Sequence, residues 1–219
     1  MTPCEYFVFA QICRIATEWR GFMYQIVLAS GSPRRKEILS QVGINFTVCV
    51  SNMEEITSET LPENIVMELS KMKAHDIAKQ YETNTIIIGS DTIVAYKNQI
   101  LGKPKNEDHA KEMLQLLSGV THEVYTGVTV IIKNDSGEVE ERTFFEISKV
   151  TVSDLTEEEI MDYIKSKEPM DKAGAYAVQG RFAAHVTRIE GDYYTIVGLP
   201  IARLYQEVKK FGIDLVKQM

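Results

Sequence analysis

Ile26-Val27-Leu28-Ala29-Ser30-Gly31-Ser32-Pro33-Arg34-Arg35-Lys36-Glu37-Ile38-Leu39 reads as a short buried strand, a tight Ser/Gly turn and then a helix. Ser32 suits the N-cap and Pro33 the first helical position. Ile38, Leu39 and Val42 give the helix an apolar side. Its first turn is unusual. Arg34, Arg35 and Lys36 crowd a helix N-terminus, where the macrodipole favours anions and disfavours cations. A phosphate chain would satisfy both these cations and the free N–H groups of the turn. A solvated basic helix start is the alternative.

Outward from this stretch, Phe46–Val50 reads as a strand and Ser51–Thr60 as a polar loop carrying Glu54 and Glu55. A helix follows over Pro62–Gln80, with Ile65, Val66, Leu69 and Ile77 on one face. Lys73 falls in the middle of that face and Lys71 points away from it. A lysine centred on an apolar stripe needs a partner for its ammonium, or must snorkel. Thr85–Gly89 has the apolar character of a strand buried on both faces. Ser90-Asp91-Thr92 is read as its end, and Ile93–Tyr96 continues extended. Lys97-Asn98 is expected to turn the chain back into Gln99–Leu101. A helix over Glu107–Leu117 stops at Ser118-Gly119, and Asn134–Gly137 joins Glu123–Ile132 to Val139–Val152 as a hairpin. Thr156 and Glu159 form a capping box for the next helix. Lys172–Gly180 is a loop containing Gln179. Phe182–Ile189 and Tyr193–Val197 are expected to be strands turned at Glu190–Asp192, and Leu199-Pro200 leads into a final helix. The expected fold class is α/β: one domain with an elongated mixed sheet flanked by helices, in two lobes around a cleft.

With 219 residues, 44% of them hydrophobic, the chain can bury a sizeable core. Its net charge of -7 argues against a general nucleic-acid binder, while a nucleotide needs only local positive charge. Cys4, Cys13 and Cys49 lack metal-ligand spacing and suit free thiols in a reducing, cytoplasmic setting. No apolar run reaches the length of a membrane span. Residues 1–24 lack a basic region ahead of Phe7-Val8-Phe9-Ala10, which argues against a signal peptide. They are expected to be an extension or a mis-assigned start, with the functional domain spanning 25–219.

Asp91 is the strongest chemical candidate, placed where open α/β sheets bind ligands. A carboxylate there can hold a divalent metal or accept a proton from water, or merely cap the local turn. Ser30 follows the first strand in the same way. Lys103, between Gly102 and Pro104, sits in a stiff loop that could present an ammonium to phosphate. His75, His109, His122 and His185 show no metal spacing. A cationic helix start, a buried-face lysine, a loop lysine and one or two carboxylates together suit a polyphosphate held by lysines and arginines, with a metal held by the acids.

From Gln25 onward the chain resembles the Maf family of nucleoside triphosphate pyrophosphatases. The resemblance is carried by Ser-x-Ser-Pro-Arg-Arg-x-Glu-Ile-Leu, Glu54-Glu55, Lys73-Ala74, Ser90-Asp91-Thr92, Gly102-Lys103-Pro104 and Leu117-Ser118-Gly119. Asp171–Tyr176, Gln179-Gly180, Gly191–Tyr194 and Val197–Pro200 extend it. It implies an inosine triphosphate pyrophosphatase-like fold and hydrolysis of a nucleoside triphosphate to the monophosphate and pyrophosphate, assisted by Mg²⁺ or Mn²⁺. Asp91 would be the proton acceptor. Glu55, Lys73 and Lys103 would complete the catalytic set, Asp91 and Glu55 would hold the metal, and Ser30, Arg34 and Arg35 would bind substrate. Arg34, Thr92 and Gln179 match the subgroup resembling dTTP/UTP pyrophosphatases. A glutamine amide can pair with the O4 and N3–H edge of uracil or thymine. Tyr176–Gln179 departs from the family, which more often has Gly-Ile before the Gln. The family also implies a homodimer. Two other roles stay open at this point: removal of modified pyrimidine nucleotides, and nucleotide-dependent regulation of septum formation.

Overall fold

The computed structural model describes residues 23–97 and 99–218. The N-terminal extension expected over 1–24 therefore falls almost wholly outside the described residues, as do Cys4, Cys13 and Asn98 of the Lys97-Asn98 turn. Cys49 is a free, half-buried thiol.

The chain runs β1 (Gln25–Leu28), α1 (Pro33–Gln41), β2 (Thr47–Val48), α2 (Pro62–Ala78), β3 (Thr85–Tyr96), β4 (Gln99–Leu101) and α3 (Glu107–Leu117). A long hairpin of β5 (Thr121–Lys133) and β6 (Val139–Val152) follows, then α4 (Glu157–Lys165). Three short 3-10 turns, Glu168–Asp171, Ala173–Ala175 and Arg181–His185, lead to β7 (Val186–Glu190), α5 (Tyr193–Val197) and α6 (Ile201–Lys209). The sheet has seven strands in the order β2-β1-β3-β5-β6-β7, with β4 also on β3. β1 is parallel to β2 and β3, and the other pairs are antiparallel.

One face of the sheet carries both lobes. At one end Ile26, Leu28, Ile86 and Ile88 pack against Ile38 and Leu39 of α1 and Leu204 and Val208 of α6. At the other end Val94, Val124 and Val150 pack against Leu114 of α3, Ile160 and Tyr163 of α4, and Phe182. The opposite face is covered by α2, whose Ala74 and Ile77 meet Ile87 and whose Val66 and Leu69 meet Ile93. Ile86, Ile87 and Ile88 are all 0% exposed, so the apolar run reflects a strand covered on both sides. Each such side chain contributes about 1.5–3 kcal/mol of burial. Lys133 Nζ donates to the Ala78 and Tyr81 carbonyls at 2.8 and 2.7 Å and so closes the C-terminus of α2.

A gap in the sheet sets the cleft. β1 pairs with β3 only as far as Leu28 opposite Ile88, and pairing with β4 starts only at Val94, opposite Leu101 at the end of that strand. Between them, Gly89–Ile93 has no strand partner on that side among the described residues, while β5 pairs continuously on the other. Ligands can therefore reach both faces of β3.

Several expectations are corrected. Asp91 is not at a strand end but in the middle of the 12-residue β3. The polar triplet marks where the neighbouring strand stops, not where β3 does. Tyr193–Val197 is a helix, not a strand: Asp192 accepts from the Tyr194 and Thr195 amides, and Gly198 closes it in the left-handed region at φ 119°. Phe182–His185 lies in a 3-10 turn, so only Val186–Glu190 is strand. The Phe46–Val50 strand shrinks to Thr47–Val48. Ser32 occupies the N-cap of α1 without a side-chain cap; instead its amide donates to Ser30 Oγ at 3.2 Å.

Glu207 on α6 is fully buried, yet it accepts from Arg142 Nε at 3.1 Å, Arg203 Nε at 2.6 Å and Lys210 Nζ at 2.7 Å. Burial pushes its pKa up, but the hydrogen bonds and charges of Lys210 and Arg203 win and hold it at about 2 against an ordinary 4.5. A depressed folded pKa stabilises the protein fully above the unfolded value and is lost as pH falls through the folded one. Thermal melts between about pH 6 and about pH 2 should therefore fall less steeply in Glu207→Gln than in the parent. Equal slopes would locate the acid sensitivity elsewhere.

Candidate active site

The cleft has a volume of about 600 Å³. It opens at the β3 gap, between the turn after β1 on one side and the Gly102–Lys103 and Asp171–Gln179 segments on the other. Every sequence-predicted site residue lines it: Ser30, Arg34, Arg35, Glu55, Lys73, Asp91, Thr92, Lys103 and Gln179. Lys36, the third cation of the helix start, does not. Asp171 and Lys172 also line the cleft, although residue patterning alone did not single them out. The cleft thus holds five cationic side chains against three carboxylates, in a chain whose net charge is -7. Concentrated positive charge of this kind draws in and holds a polyanion.

Lys73 sits on the covered face of α2 and its ammonium is partnered. Its Nζ is 2.6 Å from Asp91 Oδ1 and 2.9 Å from Glu55 Oε1. The two acids are held differently. Asp91 is 7% exposed and fixed by the strand. Glu55 is on the 51–60 loop, which is tied to α2 by Ser51 Oγ on Asp76 at 2.8 Å and by Thr57 Oγ1 on Glu68. Lys71, facing away, pairs with Glu141 at 2.9 Å.

Arg35 is buried beneath the turn. Its Nε donates to the Gly198 carbonyl at 2.8 Å, Nη1 to Ser30 Oγ at 2.9 Å and Nη2 to Thr92 Oγ1 at 3.1 Å. Burial lowers the guanidinium's pKa, Asp91 and Glu55 raise it, and Arg34 lowers it. The group stays charged at neutral pH regardless. No carboxylate lies within ion-pair distance of it among the described residues, so its charge meets only neutral acceptors and is available to an anion. Arg34 reaches across the cleft to Asp171 Oδ2 at 3.5 Å. Asp171 also takes Lys172, whose Nζ reaches the Glu168 carbonyl at 3.2 Å. Partial burial pushes the Asp171 pKa up, but Lys172 and Arg34 hold it below the usual carboxylate range. Asp171 is therefore an anion paired with two of the cleft's cations.

Lys103 and Gln179 are exposed on the far wall. The Gly174 amide donates to the Gly102 carbonyl at 3.1 Å and links their two segments. Gly174 has φ 68°, a conformation that favours glycine. Glu168 anchors the stretch after Gln179: it accepts from Tyr163 Oη at 3.0 Å and from the Arg181 amide at 3.2 Å. A Cβ on Gly180 would lie 1.9 Å from that carboxylate, so a larger residue there would push the Glu168 side chain off its anchoring contacts. The histidines lie outside the cleft lining. His122 contacts Tyr176 Oη at 2.7 Å, and burial lowers its pKa to about 4, leaving it neutral.

The donor set bears on the metal. Among the described residues no three His, Cys, Asp or Glu side chains converge on one point. Asp91 and Glu55 offer two carboxylates on either side of one ammonium. Mg²⁺ commonly takes one or two carboxylates and completes its shell with water and substrate phosphate. These residues fit an ion that shares its ligands with a phosphate chain.

The family model for Maf-like proteins matches residues 25–211. The dTTP/UTP pyrophosphatase of Agathobacter rectalis is 52% identical over 205 aligned residues, covering 88% of this chain and 100% of the relative. That of Bacillus cereus strain B4264 is 54% identical over 194 residues, covering 88% and 98%. Among solved structures, a HAM1 protein from Coxiella burnetii aligns with 86% of this chain and 100% of its own at 13% identity, with a TM-score of 0.47. The Staphylococcus aureus Ham1 protein covers 85% and 99% at 13% identity, with a TM-score of 0.46. With its opening motif, Lys73, Asp91 and Gln179 gathered around one cleft, the chain belongs to the Maf-like protein family.

Proposed function

We propose that this protein hydrolyses dTTP and UTP to the nucleoside monophosphate and pyrophosphate. The observation that carries the reading is Asp91 held 2.6 Å from Lys73 at the floor of a cationic cleft. Water attacks the α-phosphorus, the bond to the bridging oxygen breaks, and pyrophosphate leaves. Asp91 orients the water and takes its proton. Arg34, Arg35, Lys73 and Lys103 hold the triphosphate and offset the charge growing on the leaving group. Ser30 adds a donor, because both its hydrogen bonds are accepted and its own O–H is left over. Asp91 and Glu55 would hold a divalent ion such as Mg²⁺ or Mn²⁺, which neutralises phosphate charge when bound. A cytoplasmic setting, where nucleoside triphosphates are available, belongs to the same reading.

Gln179 would read the base from the exposed rim. Gln179→Glu is expected to lower the ratio of UTP to GTP turnover about tenfold, since a carboxylate cannot donate to O4. An unchanged ratio would remove Gln179 from base recognition. The exposure of Gln179 also favours a second reading, in which modified pyrimidine nucleotides are the working substrates and dTTP and UTP their surrogates. Pyrophosphate release from a panel of normal and 5-substituted nucleotides, with Mg²⁺, Mn²⁺ or EDTA, tests both. Metal-dependent release fastest with dTTP and UTP supports the first. Faster release from modified pyrimidines supports the second. Tight binding without release would point to a nucleotide-dependent regulator.

A further inference from the structure

The two hydroxyls flanking the Arg35 guanidinium spend their protons differently. Ser30 accepts from the Ser32 amide and from Arg35 Nη1, at 3.2 and 2.9 Å, and keeps its own proton. Thr92 accepts from Arg35 Nη2 at 3.1 Å and lies 2.9 Å from Thr126 Oγ1. Thr126 Oγ1 is in turn 2.7 Å from the Thr195 main-chain carbonyl. A carbonyl only accepts, and a threonine has one hydroxyl proton. Thr126 therefore donates to Thr195, and Thr92 must donate to Thr126. The chain has one direction, from Arg35 through Thr92 and Thr126 to the backbone of α5.

Its far end is firmly held. Thr126 and Thr195 are both 0% exposed, so water does not compete for these bonds. Asp192 fixes the start of α5 by accepting from the Thr195 amide at 2.8 Å and from Thr195 Oγ1 at 2.9 Å. The Gly198 carbonyl, at the other end, takes Arg35 Nε at 2.8 Å and Ser90 Oγ at 3.0 Å. A Cβ on Gly198 would lie 3.2 Å from Thr92 Oγ1, so a side chain there would crowd the junction.

We infer that Thr126 is a positioning residue for triphosphate binding: it fixes the Thr92 hydroxyl as an acceptor for Arg35. Thr92 then acts on the substrate through the guanidinium and has no proton to give the base. The inference rests on Arg35 being a substrate ligand. Thr126→Val should raise the KM for UTP about tenfold and leave kcat within about twofold, because a bond to a charged donor loses its alignment. Thr126→Ser should restore the parent KM. In the double variant Thr92→Val/Thr126→Val, the KM should be no higher than in Thr92→Val alone, as expected for residues acting in series. If Thr126→Val is insoluble, Thr126→Ala, which also lacks the hydroxyl, is read in the same way. A KM within about twofold of the parent, a serine variant as impaired as valine, or fully multiplicative effects would overturn the inference. Arg35→Lys separates the two levels. If it leaves KM unchanged, Arg35 is not a substrate ligand. If it raises KM and loss of the Thr126 hydroxyl does not, the relay alone is wrong.

Discussion

Asp91→Asn is expected to reduce pyrophosphate release about a thousandfold, within the range for loss of a general base, while UTP still binds. The substitution is nearly isosteric, and the asparagine oxygen can still accept from Lys73, now at 2.6 Å from Asp91 Oδ1. Position 91 keeps its place because β5 pairs with it through Gly127. What disappears is a negative charge and a site for the proton of the attacking water. Lys73 retains Glu55 at 2.9 Å, so the ammonium is not orphaned and the fold should be intact. Calorimetric titration with UTP and a single-turnover assay give the two readouts. Near-normal turnover would remove Asp91 from the chemistry. Loss of binding with loss of turnover would assign it to recruiting the nucleotide.

Gly89→Ala is expected to be a severely damaging small change away from the charged groups. A Cβ there would lie 2.3 Å from the Ser70 carbonyl oxygen and 2.9 Å from Ala74 Cβ. Gly127, on the adjacent strand, is as tight, with a Cβ position 2.2 Å from the Val66 carbonyl oxygen. These two glycines let α2 lie directly on the sheet. Backbone oxygen cannot rotate away, so the helix itself must lift. It carries Lys73 only three residues beyond Ser70, and the Lys73 contact with Asp91 is drawn from the same face. Overpacking of this sort costs about 3 kcal/mol of stability. Displacing a catalytic group by about 1 Å reduces kcat about a hundredfold. Gly137→Ala is the control: it lies at φ 81° in the β5–β6 turn with nothing within 4 Å of its Cβ position. That variant should lose about 1 kcal/mol through its backbone and no activity. Unchanged melting temperature and kcat in Gly89→Ala would refute the close-packing argument.

Lys73 shows what a sequence can disclose about such a site. Helical spacing alone placed it among Val66, Leu69 and Ile77, and the cost of leaving it bare called for a partner or for snorkelling; that the partners are two carboxylates is visible only in the fold. The strand run through Ile86–Ile88 was equally legible. The position of Asp91 within its strand was not. Whether a polar triplet ends a strand depends on the neighbour, and β1 stops opposite Ile88 for reasons that lie in its own turn. Tyr193–Val197 misleads because its residues favour strands, whereas Asp192 and Gly198 fix a helix from either end. Asp171 and Lys172 carry no local signal, since only the fold brings them opposite Arg34. Gln179 stood out in its loop as a polar side chain, and the cleft includes it, while the base-reading role proposed for it came from resemblance alone.

The gap beside β3 has a consequence for how such an enzyme can change over time. Asp91 belongs to a strand hydrogen-bonded along its length to β5, so its amide should exchange with solvent only when the whole domain opens. Lys103 and Gln179 sit on short segments tethered by a few contacts, Gly174 to Gly102 and Glu168 to the Arg181 amide. On the proposed mechanism, proton transfer would fall to the slowest-opening part of the molecule and base recognition to parts that open readily. If Gln179 reads the base as proposed, substitutions along residues 171–181 could redirect which nucleobase is taken while leaving β3 and Asp91 in place.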